Sequence, residues 1–338
     1  MQTLLFSHRD VAGLLPMREC IAVMADALRS LARNDAVLPL RSVTNVPGSP
    51  NLLAMMPGML GVASGERTAI GAKVITVFPG NDASPYDSHI GVVLLFDAHH
   101  GQLLAIMDAS SVTAIRTAAV SGVATDVLAR PDAGDLAILG AGVQAMTHLD
   151  AMRVVRSLRR VRVWSRSSDR AARFAERAAE RFGLIVERVD DPAAAVRGAD
   201  IVCTVTASRE PVLRGEWLAH GAHVNAVGAA LSTTRELDTE AVRRARLFVD
   251  RRESAMAESG DVLIPIAEGA ITAGHIKGEL GELLLGHVPA RISEDEVTLF
   301  KSLGLAIEDV AAAQHIHRQG IARGLGTRMS LGGLRDVE

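Results

Sequence analysis

The feature that most constrains this chain is a glycine-rich turn that ends a short apolar run. Residues 135–145 read DLAILGAGVQA, in which GAGVQA fits the G-x-G-x-x-A pattern of dinucleotide-binding turns. Such a turn follows a buried parallel strand, and the next helix directs its N-terminal amides at a pyrophosphate group. The predicted cofactor contacts here are Gly140, Gly142, Val143 and Gln144.

Strands and helices alternate on the C-terminal side of this turn. The predicted strands are 135–140, 160–165, 184–189, 200–206, 223–229 and 246–250, and the predicted helices are 146–158, 168–182 and 191–199. This alternation is typical of a doubly wound parallel α/β sheet.

The chain before residue 130 has a different order of elements. The predicted elements are a helix over 16–32, strands over 52–56, 69–78, 90–96 and 102–107, and a helix over 110–128. Strands without helices between them predict an antiparallel or mixed sheet in a separate domain. The run 297–302 and a helix from 305 to about 323 follow the alternating region, and we expect the chain to return there to the first domain.

Composition excludes several classes of protein. A chain of 338 residues, 48% of them apolar, is long enough for about two domains. The net charge of −3 provides no electrostatic case for binding nucleic acid. No apolar run reaches the length of a membrane span, and no signal-like segment is visible at the N-terminus. We expect a cytoplasmic protein with buried thiols at Cys20 and Cys203.

The residues after the second strand of the alternating region indicate which dinucleotide is bound. NAD-preferring sites place a carboxylate there for the ribose 2′-hydroxyl, whereas a 2′-phosphate requires cationic and hydroxyl donors. This chain has Ser165, Arg166 and Ser167, with no carboxylate before Asp169. The pattern favours NADP(H) over NAD(H), which stays possible because Arg166 could simply be a solvated loop residue.

Five separated blocks carry a family resemblance. They are residues 88–125, 139–145 (LGAGVQA), 210–229, 258–263 (ESGDVL) and 300–313 (FKSLGLAIEDVAAA). Taken together and in collinear order, they resemble the ornithine cyclodeaminase/mu-crystallin family, and they are nearest to its mu-crystallin (ketimine reductase) branch.

The resemblance implies a fold and a class of reaction. A Rossmann-type nucleotide domain over 117–304 would be inserted in a smaller, mixed-sheet α+β domain for substrate binding and dimerisation, over 1–116 and 305–338. The implied partners are NAD(P), a small α-amino or α-imino acid, and a second copy of the chain. Further cofactor contacts are implied at Thr117 and Val227.

The resemblance also draws attention to four charged residues. Arg41, Lys73 and Arg116 match the family's cationic positions for a substrate carboxylate. Cations suit this task because an α-imino acid must be held by its carboxylate for hydride to reach its C=N carbon. Arg41 could instead be a surface charge and Arg116 a helix-face ion pair, but Lys73 lies in an apolar strand, where lysine is rare. The catalytic candidates are Lys73, Arg116 and, as a proton relay, Glu258.

Two alanines bear on the type of reaction. Ala54 and Ala230 stand where the resemblance implies acidic residues in ornithine cyclodeaminases, which must bind and deprotonate amines. The absence of the two acidic residues favours an NAD(P)H-dependent reductase of small cyclic α-imino acids such as pyrroline-2-carboxylate or piperideine-2-carboxylate. The alternatives are an ornithine or lysine cyclodeaminase, an amino acid dehydrogenase resembling alanine dehydrogenase, and a ligand-binding protein with little turnover.

Other reactive side chains give no pattern typical of a site, and we expect no metal. His315 and His317 are about 200° apart around a helix and therefore cannot share one ion. His99 and His100 lie in a predicted hairpin turn and are expected to be solvated, while Tyr86 could cover the substrate or lie at the surface.

Overall fold

The structure, a computed structural model, describes residues 2–61 and 68–333. The chain divides into two compact units. Unit 1 comprises Met1–Arg116 and Leu305–Glu338, and unit 2 comprises Thr117–Gly304.

The elements are numbered in chain order. The strands are β1 (Thr3–Phe6), β2 (Ala36–Val37), β3 (Ser42–Asn45), β4 (Leu52–Leu60), β5 (Ala69–Val77), β6 (His89–Phe96), β7 (Leu103–Asp108), β8 (Asp135–Leu139), β9 (Arg160–Trp164), β10 (Val186–Arg188), β11 (Ile201–Thr204), β12 (His223–Ala226), β13 (Arg246–Val249), β14 (Ile276–Glu279), β15 (Thr298–Lys301) and β16 (Thr327–Met329). The α-helices are α1 (His8–Leu14), α2 (Met17–Ala32), α3 (Ala109–Leu128), α4 (Val143–Val155), α5 (Ser168–Phe182), α6 (Pro192–Val196), α7 (Thr239–Arg244), α8 (Arg252–Glu258), α9 (Gly260–Ala267), α10 (Leu280–Leu284) and α11 (Ala306–Arg323). Short 3₁₀ helices span Pro79–Ala83, Gly215–Trp217 and Ala273–His275.

Unit 1 is built on a mixed sheet of order β16-β1-β7-β6-β5-β4-β2, with β3 also paired to β4. The β1–β7 pair is parallel and the other pairs are antiparallel. Helix α11 packs across β4, β5 and β6, and α2 packs against α11. Side chains along β5 alternate between buried and half-buried, because only one face of the sheet lies under α11. The predicted mixed sheet is confirmed.

Unit 2 is built on an eight-stranded sheet of order β10-β9-β8-β11-β12-β15-β13-β14. Every neighbouring pair in it is parallel, as the alternation of strands and helices predicts. The strand order reverses between β8 and β11, which makes this the topological switch point. In such sheets ligands bind beyond the carboxyl ends of the strands at that point. The expected α/β fold class, a parallel sheet combined with a mixed-sheet unit, is confirmed.

Two expectations about individual strands are wrong. The run 297–302 does not begin the return to the first domain, as its place after the alternating region suggested, because β15 lies inside the parallel sheet between β12 and β13. This position is within the range 117–304 that the resemblance implies for the nucleotide domain. Strand β4 does not end at residue 56 but continues through Pro57 and Gly58 to Leu60. Proline is tolerated there because β3 pairs with 52–55 and β2 with 59–60, so that the outer edge of Pro57 faces neither strand.

Two simpler expectations concern thiols and membranes. Cys20 and Cys203 are both buried free cysteines. Within 2–61 and 68–333, no helix has both the length and the apolar composition that a bilayer span requires.

Candidate active site

The buried cations of unit 1 meet at one carboxylate. Lys73 on β5 and Arg116 on α3 are only 2% and 4% exposed. Lys73 Nζ lies 2.8 Å from Asp309 Oδ2, and Arg116 Nε lies 3.0 Å from Asp309 Oδ1. The structure therefore brings together two of the three cations predicted to bind a substrate carboxylate, and Asp309 on α11 joins them.

A second carboxylate, Glu308, completes this cluster. Arg116 Nη1 lies 2.9 Å from Glu308 Oε2, and both Glu308 and Asp309 are fully buried. Lys73 Nζ also donates to Thr113 Oγ1 at 3.4 Å. Neither acid was predicted from the sequence to be part of the site, although both lie in the block 300–313 that carries part of the resemblance. The available signal was a pair of adjacent carboxylates in the apolar start of a helix, GLAIEDVAAA.

The cluster changes the acidity of its members. Burial and the neighbouring charge of Arg116 lower the pKa of Lys73 to about 8, although Asp309 acts in the opposite direction. Burial alone would raise the pKa of Asp309, but the cations Arg116 and Lys73 hold it below its usual value. At neutral pH the cluster therefore holds a lysine ammonium that can release its proton near physiological pH, beside an ionised aspartate.

Three other residues of unit 1 bear on the cluster, two through charge and one through its place on the sheet. Arg41 lies just before β3, and its charge is one of the influences that lower the pKa of Lys73. Partial burial and the charges of Lys73 and Arg116 lower the pKa of His89, a residue that the sequence analysis did not consider. Ala54 is buried on β4, on the same sheet face as Lys73, where Ala54 pairs with Ile75 and Met56 with Lys73. The position implied to be acidic in cyclodeaminases thus lies diagonally across from the lysine.

The glycine-rich turn of unit 2 has the backbone that its sequence predicts. Gly140 follows β8 with φ of +121°, a conformation that side chains disfavour. A Cβ atom at Gly140 would lie 2.7 Å from the carbonyl oxygen of Val205. Gly140 N donates to Trp164 O at 2.8 Å, which fixes the turn against the end of β9.

The start of α4 fits a bound pyrophosphate. Gly142 is its N-cap residue, forms no side-chain cap, and has open space where a Cβ atom would lie. The first turn, which includes Val143 and Gln144, contains no acidic residue. Gln144 Oε1 is buried and accepts no hydrogen bond from the residues that the structure describes. Uncapped amides, open space and absent negative charge are what a helix N-terminus needs in order to bind phosphate groups.

The loop between β9 and α5 contains the residues predicted to read the ribose. Arg166 is exposed, and Ser165 and Ser167 are half-buried. Ser167 also has a structural task, because its Oγ caps α5 by accepting from Arg170 N at 3.4 Å. A cleft of about 200 Å³ lies between the glycine-rich turn with the start of α4 and the arginine-rich face of α5, and residues 165–167 are not part of its lining. Its lining residues are Ala141, Gly142, Val143, Met146, Thr147, Arg170, Arg173, Phe174, Arg177 and Arg181.

The remaining predicted residues of unit 2 lie on different elements. Thr117 is buried on α3. Val227 follows β12, and its amide donates to Thr204 O at 3.0 Å. Glu258 ends α8 with a buried Oε2 atom. Two residues later, Gly260 N donates to Leu231 O at 3.1 Å, so this helix end packs beside the loop that follows β12.

The side chains set aside in the sequence analysis show no sign of a further site. His99 and His100 are exposed, and Tyr86 is 68% exposed. His315 Nε2 lies 3.1 Å from Glu19 Oε2 across two helices of unit 1. Among the residues described, no group of three or more histidine, cysteine or acidic side chains could hold a metal ion.

Comparison with known proteins finds reductases among the relatives of this chain. Mouse ketimine reductase mu-crystallin is 42% identical over 279 residues, covering 82% of this chain and 84% of the mouse protein. Δ1-pyrroline-2-carboxylate reductase of Bacillus cereus is 36% identical over 327 residues, covering 96% and 99%. The structure of the Thermococcus litoralis Δ1-pyrroline-2-carboxylate reductase in complex with NADH and L-proline superposes with a TM-score of 0.93. It is 38% identical, with 96% of this chain and 99% of that chain covered.

The family itself is recognised over almost the whole chain. A sequence model of the ornithine cyclodeaminase/mu-crystallin family matches residues 1–323, which include both carboxylates of the buried cluster and the glycine-rich turn. With this match and with relatives of 36% to 42% identity over most of their length, the protein belongs to the ornithine cyclodeaminase/mu-crystallin family.

Proposed function

We propose that this protein is an NAD(P)H-dependent reductase that converts small cyclic α-imino acids, such as pyrroline-2-carboxylate or piperideine-2-carboxylate, to cyclic amino acids. The observation that carries the proposal is the buried cluster of Lys73 and Arg116 on Asp309. The names of the mouse and B. cereus relatives, a ketimine reductase and a pyrroline-2-carboxylate reductase, support the same reaction.

The cluster is suited to hold a substrate carboxylate. Arg116 is anchored by Glu308 and Asp309, so its guanidinium plane is fixed before a substrate arrives. A fixed guanidinium binds a carboxylate with little loss of side-chain entropy. Because two acids offset the charges of Lys73 and Arg116, we assign Arg41 as a third cation for the substrate.

Lys73 is the proposed proton donor. A bound nicotinamide ring supplies a hydride to the C=N carbon of the imino acid. The electron pair of the C=N bond moves to the nitrogen, which takes a proton to become an amine. Lys73, whose pKa is lowered to about 8, can release a proton near neutral pH, and Asp309 holds its ammonium group in place. Glu258, in unit 2, stays a second candidate for relaying this proton.

The two alanines support a reductase over a cyclodeaminase. Ala54 on β4 lies on the sheet face that also carries Lys73, and its methyl group can neither accept nor donate a proton. Ala230 follows the turn after β12 and also contains no ionisable group. An imine that already contains its C=N bond requires no base to deprotonate an amine.

The reaction is tested with two imines that differ only in the carboxylate. The wild-type protein should oxidise NADPH or NADH with pyrroline-2-carboxylate far faster than with 1-pyrroline. Arg116→Ala should lower kcat/KM for the carboxylate-bearing imine by a factor equivalent to about 2 to 4 kcal/mol of transition-state binding. It should lower kcat/KM for 1-pyrroline much less, because 1-pyrroline has no carboxylate to lose a contact. Cofactor binding without imine-dependent oxidation would instead identify a binding protein, and an unchanged preference in the variant would remove Arg116 from the site.

We propose that NADP(H) is preferred over NAD(H). Arg166, with the hydroxyl groups of Ser165 and Ser167, would hold the 2′-phosphate, and the arginines of α5 that line the cleft add positive potential. Contacts to the rest of the dinucleotide are assigned to Thr117 and Val227 and to the turn at Gly140, Gly142, Val143 and Gln144.

The preference is tested with one arginine in the loop after β9 and one at the start of β9. Arg166→Ala should raise the KM for NADPH and leave that for NADH unchanged. Arg160→Ala, at the start of the strand, removes an exposed arginine paired with Glu187 and should affect neither KM. Equal KM values for the two cofactors in the wild type would defeat the proposed preference.

We further propose a homodimer formed through the open face of the sheet in unit 1. The register places Leu53, Thr76 and Ile90 in one row and Met55, Val74 and Val92 in the next, on the face turned away from α11. Met55 is 47% exposed and Ile90 is 43% exposed. A flat apolar face of this kind suits an identical face on a second copy.

The dimer is tested by light scattering of the purified protein. Met55→Lys should shift the mass from that of a dimer to that of a monomer. Met256→Lys changes an exposed methionine of unit 2 and serves as the matched control. A monomeric wild type would rule the dimer out.

A further inference from the structure

A second buried polar cluster lies in unit 2, apart from the residues already assigned. Glu236, in the segment before α7, is completely buried. Its Oε1 atom accepts from Thr206 N and Thr206 Oγ1, each at 2.6 Å. Its Oε2 atom accepts from Thr204 Oγ1 at 2.8 Å and from Gly228 N at 2.6 Å. One carboxylate therefore receives four hydrogen bonds, two of them from backbone amides that cannot reverse their direction.

The four donors come from two neighbouring strand ends. Thr204 ends β11 and is followed by Thr206, while Gly228 follows β12 by two residues. Strands β11 and β12 are parallel neighbours, with Thr204 opposite Ala226. Glu236 thus ties together the two loops at the carboxyl ends of these strands.

The loops approach so closely that no side chain fits between them. A Cβ atom at Gly228 would lie 2.0 Å from Thr206 O and 2.6 Å from Glu236 Oε1. The spacing of the loops is therefore set by the glycine and by the carboxylate that bridges them.

The backbone at Glu236 is held by Asp261, which forms an ion pair with Lys301. Asp261 Oδ1 accepts from Glu236 N at 2.8 Å and from Leu237 N at 3.0 Å. Asp261 Oδ2 lies 2.9 Å from Lys301 Nζ, and Lys301 also donates to the carbonyl of Ala229. Lys301 and Asp261 are both buried, so a lysine at the end of β15 and an acid on α9 brace the same turn.

The position of these loops in the sheet indicates which part of a dinucleotide they border. The strand order reverses between β8 and β11, and folds of this type bind a dinucleotide across such a switch point. The glycine-rich turn and the loop after β9 lie on the β8 side, which takes the adenosine half in such folds. The loops after β11 and β12 lie on the other side and border the nicotinamide half.

We propose that Glu236 is a positioning residue for the nicotinamide half of the cofactor. The proposal rests on the proposed function only in requiring that the protein binds a nicotinamide dinucleotide. Glu236 touches neither reacting group. It sets the separation of the loops that follow β11 and β12, and so the width of the crevice in which the nicotinamide ring is held.

The decisive variant is Glu236→Gln. A glutamine has one carbonyl oxygen and one amide NH₂ group, so it cannot accept from both Thr206 N and Gly228 N. One backbone amide then loses its partner, and an unsatisfied buried donor lowers binding that depends on this geometry by about 5- to 100-fold. We expect NADH binding, followed by its fluorescence, to weaken by that factor. ADP-ribose, which lacks the nicotinamide ring, should bind as it does to the wild type in calorimetry.

Hydrogen exchange of the protein without cofactor provides a readout independent of binding. In Glu236→Gln, amides in peptides covering 204–208 and 226–232 should exchange faster, while those of the glycine-rich turn should not change. Asp200→Asn is the matched control, because Asp200 accepts from Gly134 N and Asp135 N at the amino ends of β8 and β11, opposite to the ends where Glu236 lies. Asp200→Asn should lower the melting temperature but should not change the affinity for NADH relative to the affinity for ADP-ribose.

Equal weakening of NADH and ADP-ribose in Glu236→Gln, or no weakening of either, would overturn the proposal. If the glutamine variant does not fold, Thr206→Val removes one hydroxyl donor and keeps the backbone amide, and the same selective loss is expected at smaller size. A wild type that binds neither ligand would contradict the proposed function itself, so the two failures are distinguishable.

Discussion

Replacing Asp309 by asparagine should move the pH dependence of the reaction. Asp309 Oδ2 lies 2.8 Å from Lys73 Nζ, and its charge raises the pKa of that lysine against burial and Arg116. An opposite charge at this distance commonly shifts a pKa by about 1 to 3 pH units. Without it, the pKa of Lys73 falls from about 8 by that amount. The shape of the side chain is kept, and Arg116 still has Glu308 at 2.9 Å.

The assay is the pH profile of kcat/KM for imine reduction, which reports ionisation of the free enzyme. If the Lys73 ammonium donates the proton, the wild-type value falls as pH rises through about 8. In Asp309→Asn this basic limb should move to lower pH by about 1 to 3 pH units. At about pH 8 the protonated fraction, and with it kcat/KM, then drops about 5- to 500-fold, and the difference shrinks in acid.

Glu308→Gln is the control for this experiment. Glu308 is equally buried and contacts Arg116, but the ion pair with Lys73 is formed by Asp309, and Glu308 is not one of the main influences on the pKa of Lys73. It should lower affinity for the substrate carboxylate without moving the basic limb. If the limb of Asp309→Asn coincides with that of the wild type, Lys73 is not the ionising group and the proposed proton donor is wrong.

Three further predictions follow from other parts of the molecule. Incubation with ornithine or lysine and NAD⁺ should release essentially no ammonia, because Ala54 and Ala230 cannot act as bases; an ammonia assay measures this. Burial lowers the pKa of His148 from 6.5 to about 4, so stability should fall as pH drops through this interval, by about 3 kcal/mol at about 1.4 kcal/mol per pH unit. Urea unfolding of His148→Gln should lack that slope. Gly140→Ala should abolish NADH binding and lower the melting temperature, because its Cβ atom would lie 2.7 Å from Val205 O.

Each of these has a clear contrary result. Robust ammonia release would show that other residues perform the acid and base chemistry. An unchanged acid slope in His148→Gln would mean that the histidine is charged in the folded protein. Normal NADH binding by Gly140→Ala would mean that the turn relaxes without cost and does not hold the pyrophosphate.

Local patterns were sufficient to predict much of this protein. The glycine-rich turn at Gly140 and the alternation of strands and helices predicted a parallel sheet, because backbone conformation and side-chain periodicity are local properties. Lys73 was predicted to have a role because lysine is rare in an apolar strand, and the apolar character of a strand is also a local property. The resemblance, carried by five short blocks, predicted the family and the reductase, and both agree with the relatives.

The partners of the charged residues were decided only by the tertiary structure. Glu308 and Asp309 lie nearly 200 residues from Arg116 in sequence, and they reach it because α11 returns to pack on β4, β5 and β6. Lys301 also lies in an apolar strand, but its ion pair with Asp261 was not predicted. Strand β15 inserts between β12 and β13 although β13 and β14 precede it in the chain, so the sequence order does not indicate which residues surround Lys301. Periodicity indicates which face of an element is buried. It does not indicate which distant element covers that face, and an ion pair depends on both.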